Sequence, residues 1–484
     1  MKRYCFLSLL ALSSCMVGPD YHKPKLDTPA AYKTAPGWVQ AAPNDAAPKG
    51  EWWVSFNDPL LNRLEPQVVV NNATVKADYF AYMQAAALVK EAQGSFFPTL
   101  GLTGSATRAS GSSSGSSTSS SGNISSGPST SGTFEGQASW VPDIWGKIRR
   151  QVQENTASAQ VSAADLANAT LSAQAALATD YVDLRTADAS ITLYQQTVVA
   201  YQRSLQITEN QAAAGTAAPA DVITARTALE GAQSSLIAAG AARAQYEHAI
   251  AVLTGQLPEN FAIPAGTQIP DVPLAPPGVP STLLERRPDI AAAERTMAEQ
   301  NAAIGVAVGA YYPDITLSAL GGYSADPIGG LFSVSHALWS LGADASETVF
   351  EGGIRSAAVS AAGFAYNEAE ETYRGTVLAA FQSTEDDLSN LTIYAAQAQV
   401  ETQAVADAGR AVQIALNEYQ AGTAAYTTVV TAQVTLLQAQ QTVLSIQQQR
   451  LLAAVSLYQD LGGGFTATDI PSAAKLQAGL PFAP

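Results

Sequence analysis

Residues 210–218 read NQAAAGTAA and residues 417–425 read NEYQAGTAA, so the same glycine-threonine turn recurs at an offset of 207 (422 − 215). The match continues beyond the turn. It pairs Val222, Ala225, Leu229, Ala232, Gln233 and Gly255 with Val429, Ala432, Leu436, Ala439, Gln440 and Gly462. A duplicated arm of this length predicts an architecture with internal rotational pseudo-symmetry rather than a single active-site cleft.

The composition excludes some classes of protein. The chain has 484 residues, 14% of them charged, and a formal net charge of −16. Binding to a nucleic-acid backbone needs clustered Lys and Arg, so no nucleic-acid partner is expected. The acidic balance is typical of a solvated surface or of a lumen that tolerates cations. This length usually means several globular domains, but the duplication indicates two copies of one unit in a single body.

The N-terminus has the pattern of a bacterial lipoprotein signal. Two basic residues precede an apolar core at residues 6–12, and Cys15 follows it closely. The pattern predicts removal of a signal peptide, residues 1–14, and a covalent lipid on Cys15. The alternatives are an ordinary secretory signal or a short membrane anchor, although the apolar run is far shorter than the ~20 residues of a spanning helix. Met16 stands where an aspartate commonly retains lipoproteins at the inner membrane.

Cysteine use limits the other chemistry of the mature chain. With Cys15 lipidated, no second cysteine remains. Neither an internal disulfide nor a thiol-based metal site is then expected. We expect no cofactor other than the lipid. No other segment reads as a spanning helix, so a membrane crossing would have to use strands.

Each half of the chain has two short stretches with strand character, at about 98–108 and 132–143 and at about 313–324 and 338–350. They alternate with period two, are rich in Gly, Ser and Thr, and are flanked by aromatic residues, which is the weak signature of outer-membrane barrel strands. Four strands cannot close a barrel around a lumen, so closure requires several copies of the chain. The Ser, Gly and Thr run at 110–132 reads as an exposed hairpin loop or, on composition alone, as a disordered linker.

Two stretches are too long and regular for a compact globule. From about 147 to 211 and from about 353 to 418, no proline interrupts a run rich in Ala, Gln and Leu. Each predicts a helix of roughly 100 Å. Apolar residues spaced by three and four, from Tyr373 to Ala395 and from Val429 to Leu457, form heptad seams with many small residues. Spacing alone would also fit a soluble coiled-coil rod, which leaves the lipid signal and the strands unexplained.

The long helices are expected to end in tight hairpins at about 212–220 and 419–427. Gly215 and Gly422 suit the left-handed residue that follows a helix. We interpret Thr216 and Thr423 as the N-caps of the helices that follow. The hairpins are therefore the far tips of the projecting helices.

A series of short motifs runs from the signal almost to the C-terminus. The motifs are CMVGPDY from residue 15, WW at 52–53 with DPL at 58–60, NN at 71–72, DIWGK at 143–147, LLERRPDI at 283–290, FEGG at 350–353, LY at 457–458 and LGGG at 461–464. In this order they resemble the outer membrane efflux proteins, the channel components of tripartite pumps. Within that family they are similar to the lipidated, NodT-type branch that partners resistance-nodulation-division (RND) transporters.

The resemblance implies a homotrimer that is mainly helical with transmembrane strands. Four strands from each of three chains would form a twelve-stranded β-barrel in the outer membrane, continued by a long periplasmic tube of helices. The implied function is a passive exit duct for small toxic compounds or drugs, driven by an inner-membrane RND transporter and joined to it by a periplasmic adaptor protein. The implied divisions are the signal peptide 1–14, an N-terminal segment with lipid anchor and equatorial belt 15–66, a first repeat 67–255, an equatorial linker 256–281, a second repeat 282–463 and an equatorial tail 464–484.

The tube in this family is normally constricted near the hairpin tips, often by acidic residues, which makes three residues gate candidates. Asp221 matches the family's position six residues after the tip glycine. In the second half, where lipidated relatives often place an apolar residue and then an aspartate, this chain has Thr427 and Thr431. Asp221 also fits a plain role as a first-turn acid favoured by the helix dipole.

Two alternatives to drug efflux are a channel for type I protein secretion and a lipid-anchored structural coiled-coil trimer. The lipidation signal favours the pump branch over secretion. An enzyme is not indicated. The string GSSSG at residues 111–115 satisfies a serine-hydrolase pattern, but it lies in a Ser/Gly run without the strand-turn-helix context that positions a nucleophile. The three histidines are scattered, and the sequence has no phosphate loop or dinucleotide fingerprint.

Overall fold

The computed structural model describes residues 16–24, 51–110, 128–266, 269–273 and 286–478. Cys15, the signal peptide and the string at 111–115 lie outside the described residues. No helix in these ranges is long and apolar enough to cross a membrane. The helices and strands are α1 Pro59–Asn71, α2 Ala73–Gly94, β1 Thr99–Ala109, β2 Ser129–Trp140, α3 Lys147–Ala213, α4 Pro219–Leu253, α5 Pro288–Gly309, β3 Asp314–Ala325, β4 Ala337–Ser346, α6 Ile354–Gln420, α7 Tyr426–Asp460 and α8 Ala473–Gln477.

The helix lengths confirm the duplication. α2 and α5 each have 22 residues, α3 and α6 each have 67, and α4 and α7 each have 35. Both halves follow the order short helix, β-hairpin, long helix, short helix. At 1.5 Å per residue, each long helix extends for roughly 100 Å. The chain is therefore built from two copies of one elongated unit.

The heptad seam predicted along the second long helix is buried from Tyr373 to Leu388. Along α6, Tyr373, Val377, Ala380, Thr384 and Leu388 are all inaccessible to solvent, and they face α7 and α5. Small residues in the seam let helices approach closely, while the larger ones fill the space between them. The spacing of three and four therefore marks the surface along which each long helix pairs with its shorter neighbours.

The two repeats are joined along α3 and α7 by side-chain amides. Gln433 donates to Ser204 Oγ at 2.8 Å, and Gln448 donates to Asp183 Oδ1 at 2.7 Å. Between them, Gln441 donates to the hydroxyl oxygen of Tyr194 at 2.8 Å. Because these bonds recur along the pair, they set the register of one repeat against the other.

The four strands form one antiparallel sheet in the order β1-β2-β3-β4. β2 pairs with β3, so the sheet also joins the two repeats. β2 ends at Trp140, before the expected residue 143, because Pro142 has no N–H to donate. β4 ends at Ser346, before the expected residue 350. The next residue, Glu347, forms an ion pair with Arg355 at the start of α6.

The strand register sorts side chains by polarity. One row across the sheet holds Leu102, Gly136, Gly321 and Trp339, and successive residues point to opposite faces. The face of that row is mainly apolar and includes Leu100, Phe134, Trp140, Ile315, Leu317, Tyr323 and Leu341, with Arg108 and Thr130 as polar members at the end of the β1–β2 pair. The opposite face carries Thr103, Ser105, Thr133, Glu135, Gln137, Ser318, Ser340 and Asp344, with Leu320 and Leu338 as apolar members.

Each long helix is covered by two shorter helices that meet end to end near its middle. α2 and α4 lie along α3, and α5 and α7 lie along α6. Gly255 follows α4 with φ of +70°, and a Cβ there would lie 2.6 Å from the Asn71 carbonyl oxygen. Gly462 follows α7 with φ of +88°, and a Cβ there would overlap the carbonyl oxygen of Arg286. Only glycine allows this approach of one helix end to the next.

The same junction is closed by side chains that differ between the repeats. Asn72 Nδ2 donates to the carbonyl oxygen of Leu253 at 3.1 Å. At the equivalent place Arg287 Nη1 donates to the carbonyl oxygen of Asp460 at 3.2 Å and to its carboxylate at 2.8 Å. Arg287 also pairs with Asp289 at 2.8 Å. A neutral cap in one repeat is thus replaced by a charged bridge in the other.

The N-terminal part docks on the middle of α3. Asp58 caps α1 by accepting hydrogen bonds from the amides of Leu60 and Leu61 at 2.8 and 3.0 Å. Its other carboxylate oxygen accepts a 2.6 Å hydrogen bond from the Tyr181 hydroxyl on α3. One side chain therefore both starts α1 and fixes it against the long helix.

Glu65 on α1 is an unusual member of this core. Its side chain is fully buried, and neither carboxyl oxygen has a hydrogen-bond partner. Burial raises the pKa of Glu65 to about 9, so the carboxyl group is neutral near pH 7. In the unfolded chain the same group ionises near its ordinary pKa of 4.5. Folding therefore opposes ionisation, and stability is lost as the pH rises from about 4.5 towards 9.

We expect Glu65→Gln to stabilise the protein, with a gain that is small at pH 5 and larger at pH 8. Glutamine cannot ionise, so this variant loses the pH dependence that Glu65 gives to the stability. The amide of the glutamine still lacks hydrogen-bond partners. The gain at pH 8 should be about 1–3 kcal/mol. Thermal unfolding followed by circular dichroism across this pH range measures it. Glu91→Gln, on the exposed side of α2, is the control. A gain that does not change with pH would contradict this account.

Candidate functional site at the helical tips

Both tips close in the same way. At the first tip, Gly215 has φ of +74°, and its amide donates to Ala212 O at 3.0 Å. The amide of Thr216 donates to Gln211 O at 2.9 Å. At the second tip Gly422 has φ of +75°, and the amide of Thr423 donates to Glu418 O at 2.9 Å. This paired bonding is the Schellman motif, which satisfies the last carbonyls of a helix.

The expectation that Thr216 and Thr423 are N-caps is wrong. The N-caps of α4 and α7 are Ala218 and Ala425, which have no capping side chain. The threonine hydroxyls instead donate back to Gln211 O and Glu418 O, each at 3.0 Å. The threonines therefore finish the preceding helix, and the extended residues Ala218 and Ala425 begin the next one.

The second tip contains an aromatic pair that sequence reasoning missed. Tyr419 and Tyr426 are buried, with ring centroids 5.1 Å apart, and they pack with Val429, Ala415 and Ala225. Ala225 belongs to α4, so the cluster joins the two tips. At an offset of 207, the tyrosines replace an alanine and a proline of the first repeat. This substitution of two tyrosines for small residues in the second repeat is the sequence signal that marks the aromatic pair.

Asp221 lies in the first turn of α4 and is half-buried. Its amide donates to Ala218 O at 3.0 Å. Burial raises the pKa of Tyr419 and of Tyr426, and the negative charge of Asp221 adds to that rise. The acid therefore lies close to the aromatic pair, at the contact between the two tips.

Thr427 and Thr431 lie one turn apart near the start of α7, and both are exposed. The Thr431 hydroxyl donates to Thr427 O at 2.9 Å, within the helix. No acid stands in the first turn of α7, whereas α4 has Asp221 there. The structure thus places the three gate candidates at the same end of the molecule, with an acid in the first turn of only one of the two helices that follow the tips. Their role in a gate stays a prediction.

Above the tips, α3, α6 and α7 enclose an open groove of about 900 Å³. Side-chain amides dominate its polar lining, which includes Gln195, Gln196, Gln413, Asn417, Gln420, Gln433 and Gln440. Among the described residues, no group of His, Cys, Asp and Glu side chains could hold a metal ion. The groove therefore offers mainly neutral hydrogen-bonding groups along a helical surface, with Arg203 as its charged lining residue.

Comparison with known proteins agrees with this architecture. The sequence profile of the outer membrane efflux protein family matches residues 64–256 and 279–463. The solvent efflux pump outer membrane protein SrpC of Pseudomonas putida is 29% identical over 482 residues, covering 96% of this chain and 99% of SrpC. Nodulation protein T of Rhizobium leguminosarum bv. trifolii is 28% identical over 435 residues, covering 87% and 86%.

Solved structures give the same result. The outer-membrane channel OprN matches with a TM-score of 0.83 at 27% identity, covering 93% of this chain and 99% of OprN. The outer membrane protein VceC of Vibrio cholerae matches with a TM-score of 0.79 at 25% identity, covering 86% and 100%. Long helical arms joined to a small antiparallel sheet therefore define the class, an outer-membrane channel protein of an efflux system.

Within that class, the chain belongs to the outer membrane efflux protein family, since the family profile matches most of its length. This is a family of channel proteins rather than enzymes. The resemblance drawn from the ordered motifs is confirmed, and so is the outer-membrane location.

We expect Gly422→Ala to loosen the second tip without unfolding the protein. No atom would meet the added Cβ, so the cost is the left-handed backbone conformation, about 1–2 kcal/mol. Amide hydrogen exchange at Thr423 should therefore accelerate roughly 5- to 30-fold.

Gly409→Ala is the matched control for this prediction. Gly409 also has no neighbour near its missing Cβ, but it lies inside α6, where alanine favours the helix. This control should slow exchange locally, and Gly422→Asn should lie between Gly422→Ala and the wild type. Equal exchange at Thr423 in all variants would contradict the role of Gly422.

Proposed function

We propose that three copies of this chain form a passive outer-membrane duct for small toxic compounds. Their twelve strands close one barrel, and their helices form a periplasmic tube that an inner-membrane pump drives through an adaptor. The observation that carries the proposal is the sheet, which has one apolar and one polar face. Such a sheet suits lipid on one side and a water-filled lumen on the other.

The edges of the sheet support assembly from several copies. β1 and β4 each pair on one side only within the sheet. The free edges of these two strands present backbone N–H and C=O groups, and leaving such groups unpaired in a membrane costs free energy. Pairing β4 of one copy with β1 of the next satisfies both edges and closes a barrel of twelve strands.

The helices support the same assembly through their pseudo-symmetry. Within the chain, α5 packs against both α3 and α6. α2 is equivalent to α5 at an offset of 215 (288 − 73), and it packs along α3. Its remaining surface exposes Phe80 and Met83. On α6, Phe364 is 71% exposed, whereas its equivalent Ala157 on α3 is 5% exposed. If a neighbouring copy placed its α6 on this face of α2, the contact would cover Phe364 of one copy and Phe80 and Met83 of the other.

We propose that the adaptor docks in the amide-lined groove above the tips. It lies between α3 and α6, with α7 contributing to its lining. A helix of the adaptor would find mostly side-chain amides there, together with the charge of Arg203, which suits an interface that forms in water. The RND type of the pump and the lipid on Cys15 are parts of the same proposal, supported by the motifs near the N-terminus.

We infer the chemical class of the exported compounds from the names of related proteins. These include toluene, solvent and antibiotic efflux proteins of Pseudomonas putida, so we propose small, largely apolar toxic molecules as cargo. The test is deletion of the gene, which should lower tolerance to such compounds, together with planar-bilayer conductance of the purified trimer. A trimer that never conducts would favour the structural coiled-coil alternative. Loss of a secreted protein with unchanged tolerance would favour type I secretion.

We expect cysteines at Met83 and Phe364 to cross-link between copies. A short thiol-reactive cross-linker should give dimers and trimers on a denaturing gel, because the two positions meet only across copies. The equivalent pair, Ala298 and Ala157, line one cavity within a chain, and cysteines there should leave a monomer band. Bands larger than a trimer would refute closure at three copies, and the absence of any ladder would refute the contact.

We expect Asp221→Asn to reduce the cation sensitivity of single-channel conductance, and Thr431→Asp to increase it. Both changes alter charge at the tips, where the tube is proposed to narrow. The effects should be roughly twofold or more at low salt, where exposed charges are least screened. Glu230→Gln, farther along α4, is the control. Unchanged conductance and cation response in Asp221→Asn would remove Asp221 from the gate.

A further inference from the structure

Residues 16–21, which we call the anchor segment, are bonded to the body of the protein along their backbone. This backbone is held at three successive residues. The Val17 amide donates to Trp145 O at 3.1 Å. Arg150 Nε donates to Val17 O at 2.9 Å, and Arg150 Nη2 donates to Gly18 O at 3.0 Å. Asn301 Nδ2 then donates to Pro19 O at 3.0 Å.

The site also selects for the shape of the segment. Gly18 has φ of +87°, and a Cβ there would lie 2.5 Å from Gly305 Cα. A Cβ on Gly305 would in turn lie 2.7 Å from the aliphatic part of Arg150. A Cβ on Gly146 would lie 2.9 Å from Met16 Cα. Three glycines therefore let the segment, α3 and α5 approach each other more closely than any other residue allows.

Arg150 is the centre of this site. Only 2% of its surface is exposed, and its guanidinium group also pairs with Asp20 at 3.0 Å and with Gln153 at 2.9 Å. The anchor segment thus supplies three of its four partners. A buried guanidinium group that loses such partners is strongly unfavourable, so the segment and the body of the protein stabilise each other.

Farther along, Tyr21 fixes the other end of the segment. Its hydroxyl donates to Glu294 Oε1 at 2.6 Å, and Glu294 on α5 is buried. Its ring packs on the apolar cluster of Ile290, Met297 and Tyr373. The segment therefore crosses from α3 over α5 and is held at both ends.

The site lies at the boundary between the strands and the helices. Trp145 stacks on Tyr312 with ring centroids 5.1 Å apart, and its Nε1 donates to Pro313 O at 2.9 Å, directly before β3. Since Val17 is bonded to Trp145, the anchor segment begins beside this boundary. The lipid of the proposed function would then join the protein at one defined place.

We propose that the turn before α3, together with Arg150, Asn301 and Gly305, is a recognition site for the mature N-terminus, and that this site rather than the lipid fixes the N-terminus on the protein. Arg150 is its positioning residue. The contacts need a segment that turns at a glycine in position 18, and they do not need an acyl chain. Attachment of this segment to the membrane rests on the lipidation of Cys15, which is part of the proposed function. Docking of the segment on the protein does not depend on that lipid.

Hydrogen exchange of the Val17 amide tests this in the full-length mature protein, reconstituted in lipid nanodiscs. We expect protection of at least about 100-fold over an unstructured chain, because this amide is bonded in a buried site. A Cys15→Ser chain, exported behind a leader that leaves residue 15 first, should keep that protection. Arg150→Met and Gly18→Leu should each lose at least about tenfold of it.

The controls separate a local effect from misfolding. Arg374→Met removes an exposed arginine on α6 and should leave Val17 protected. Exchange at Thr423, at the distant tip, should be unchanged in every variant, and Gly18→Leu leaves the body of the protein intact if Arg150→Met does not fold. Lost protection in Cys15→Ser, or full protection in both Arg150→Met and Gly18→Leu, would overturn the proposal. Intact mass reports lipidation separately, so its absence would count against the proposed anchor and not against docking.

Discussion

The end-to-end meeting of two short helices over the middle of each long helix determines the geometry of the rest of the chain. In a folded protein most of the stability of a helix comes from packing of its apolar face, so each 67-residue helix depends on the short helices that cover it. α2 covers the part of α3 near the sheet, and α4 covers the part near the tip. Gly255 removes the space between them by contacting the Asn71 carbonyl, and Gly462 repeats this contact with Arg286. The sheet and the tips are therefore held at the same separation in both repeats.

Much of this architecture could be predicted from local patterns in the sequence. The recurring turn at Gly215 and Gly422 located both tips, and the absence of proline gave the lengths of α3 and α6 to within a few residues. Period-two alternation located all four strands. These features follow from neighbours along the chain, which is why periodicity reveals them. Alternation alone extends β2 to residue 143, past Pro142, which has no N–H to donate to the sheet.

Other features depend on contacts between distant residues, which no local pattern reports. From its position, the hydroxyl of Thr216 could bond either the helix before it or the helix after it. The conformation of the turn decides the partner, which is Gln211 O. Glu65 reads as an ordinary surface acid until α1 docks on α3. Arg150 reads as one of two adjacent basic residues at a helix start. Its burial arises from a segment 130 residues away (150 − 20) in the chain.

The equal lengths of α3 and α6 restrict how such a chain can evolve. Both arms extend from one sheet, and Gln433, Gln441 and Gln448 bond α7 to α3 at successive levels. An insertion in one long helix would move its tip and shift these glutamines away from their partners. A longer arm therefore requires matched insertions in both long helices and in the short helices that cover them. Arm length in this fold is inherited as one shared character, whereas the loops between strands can change length independently.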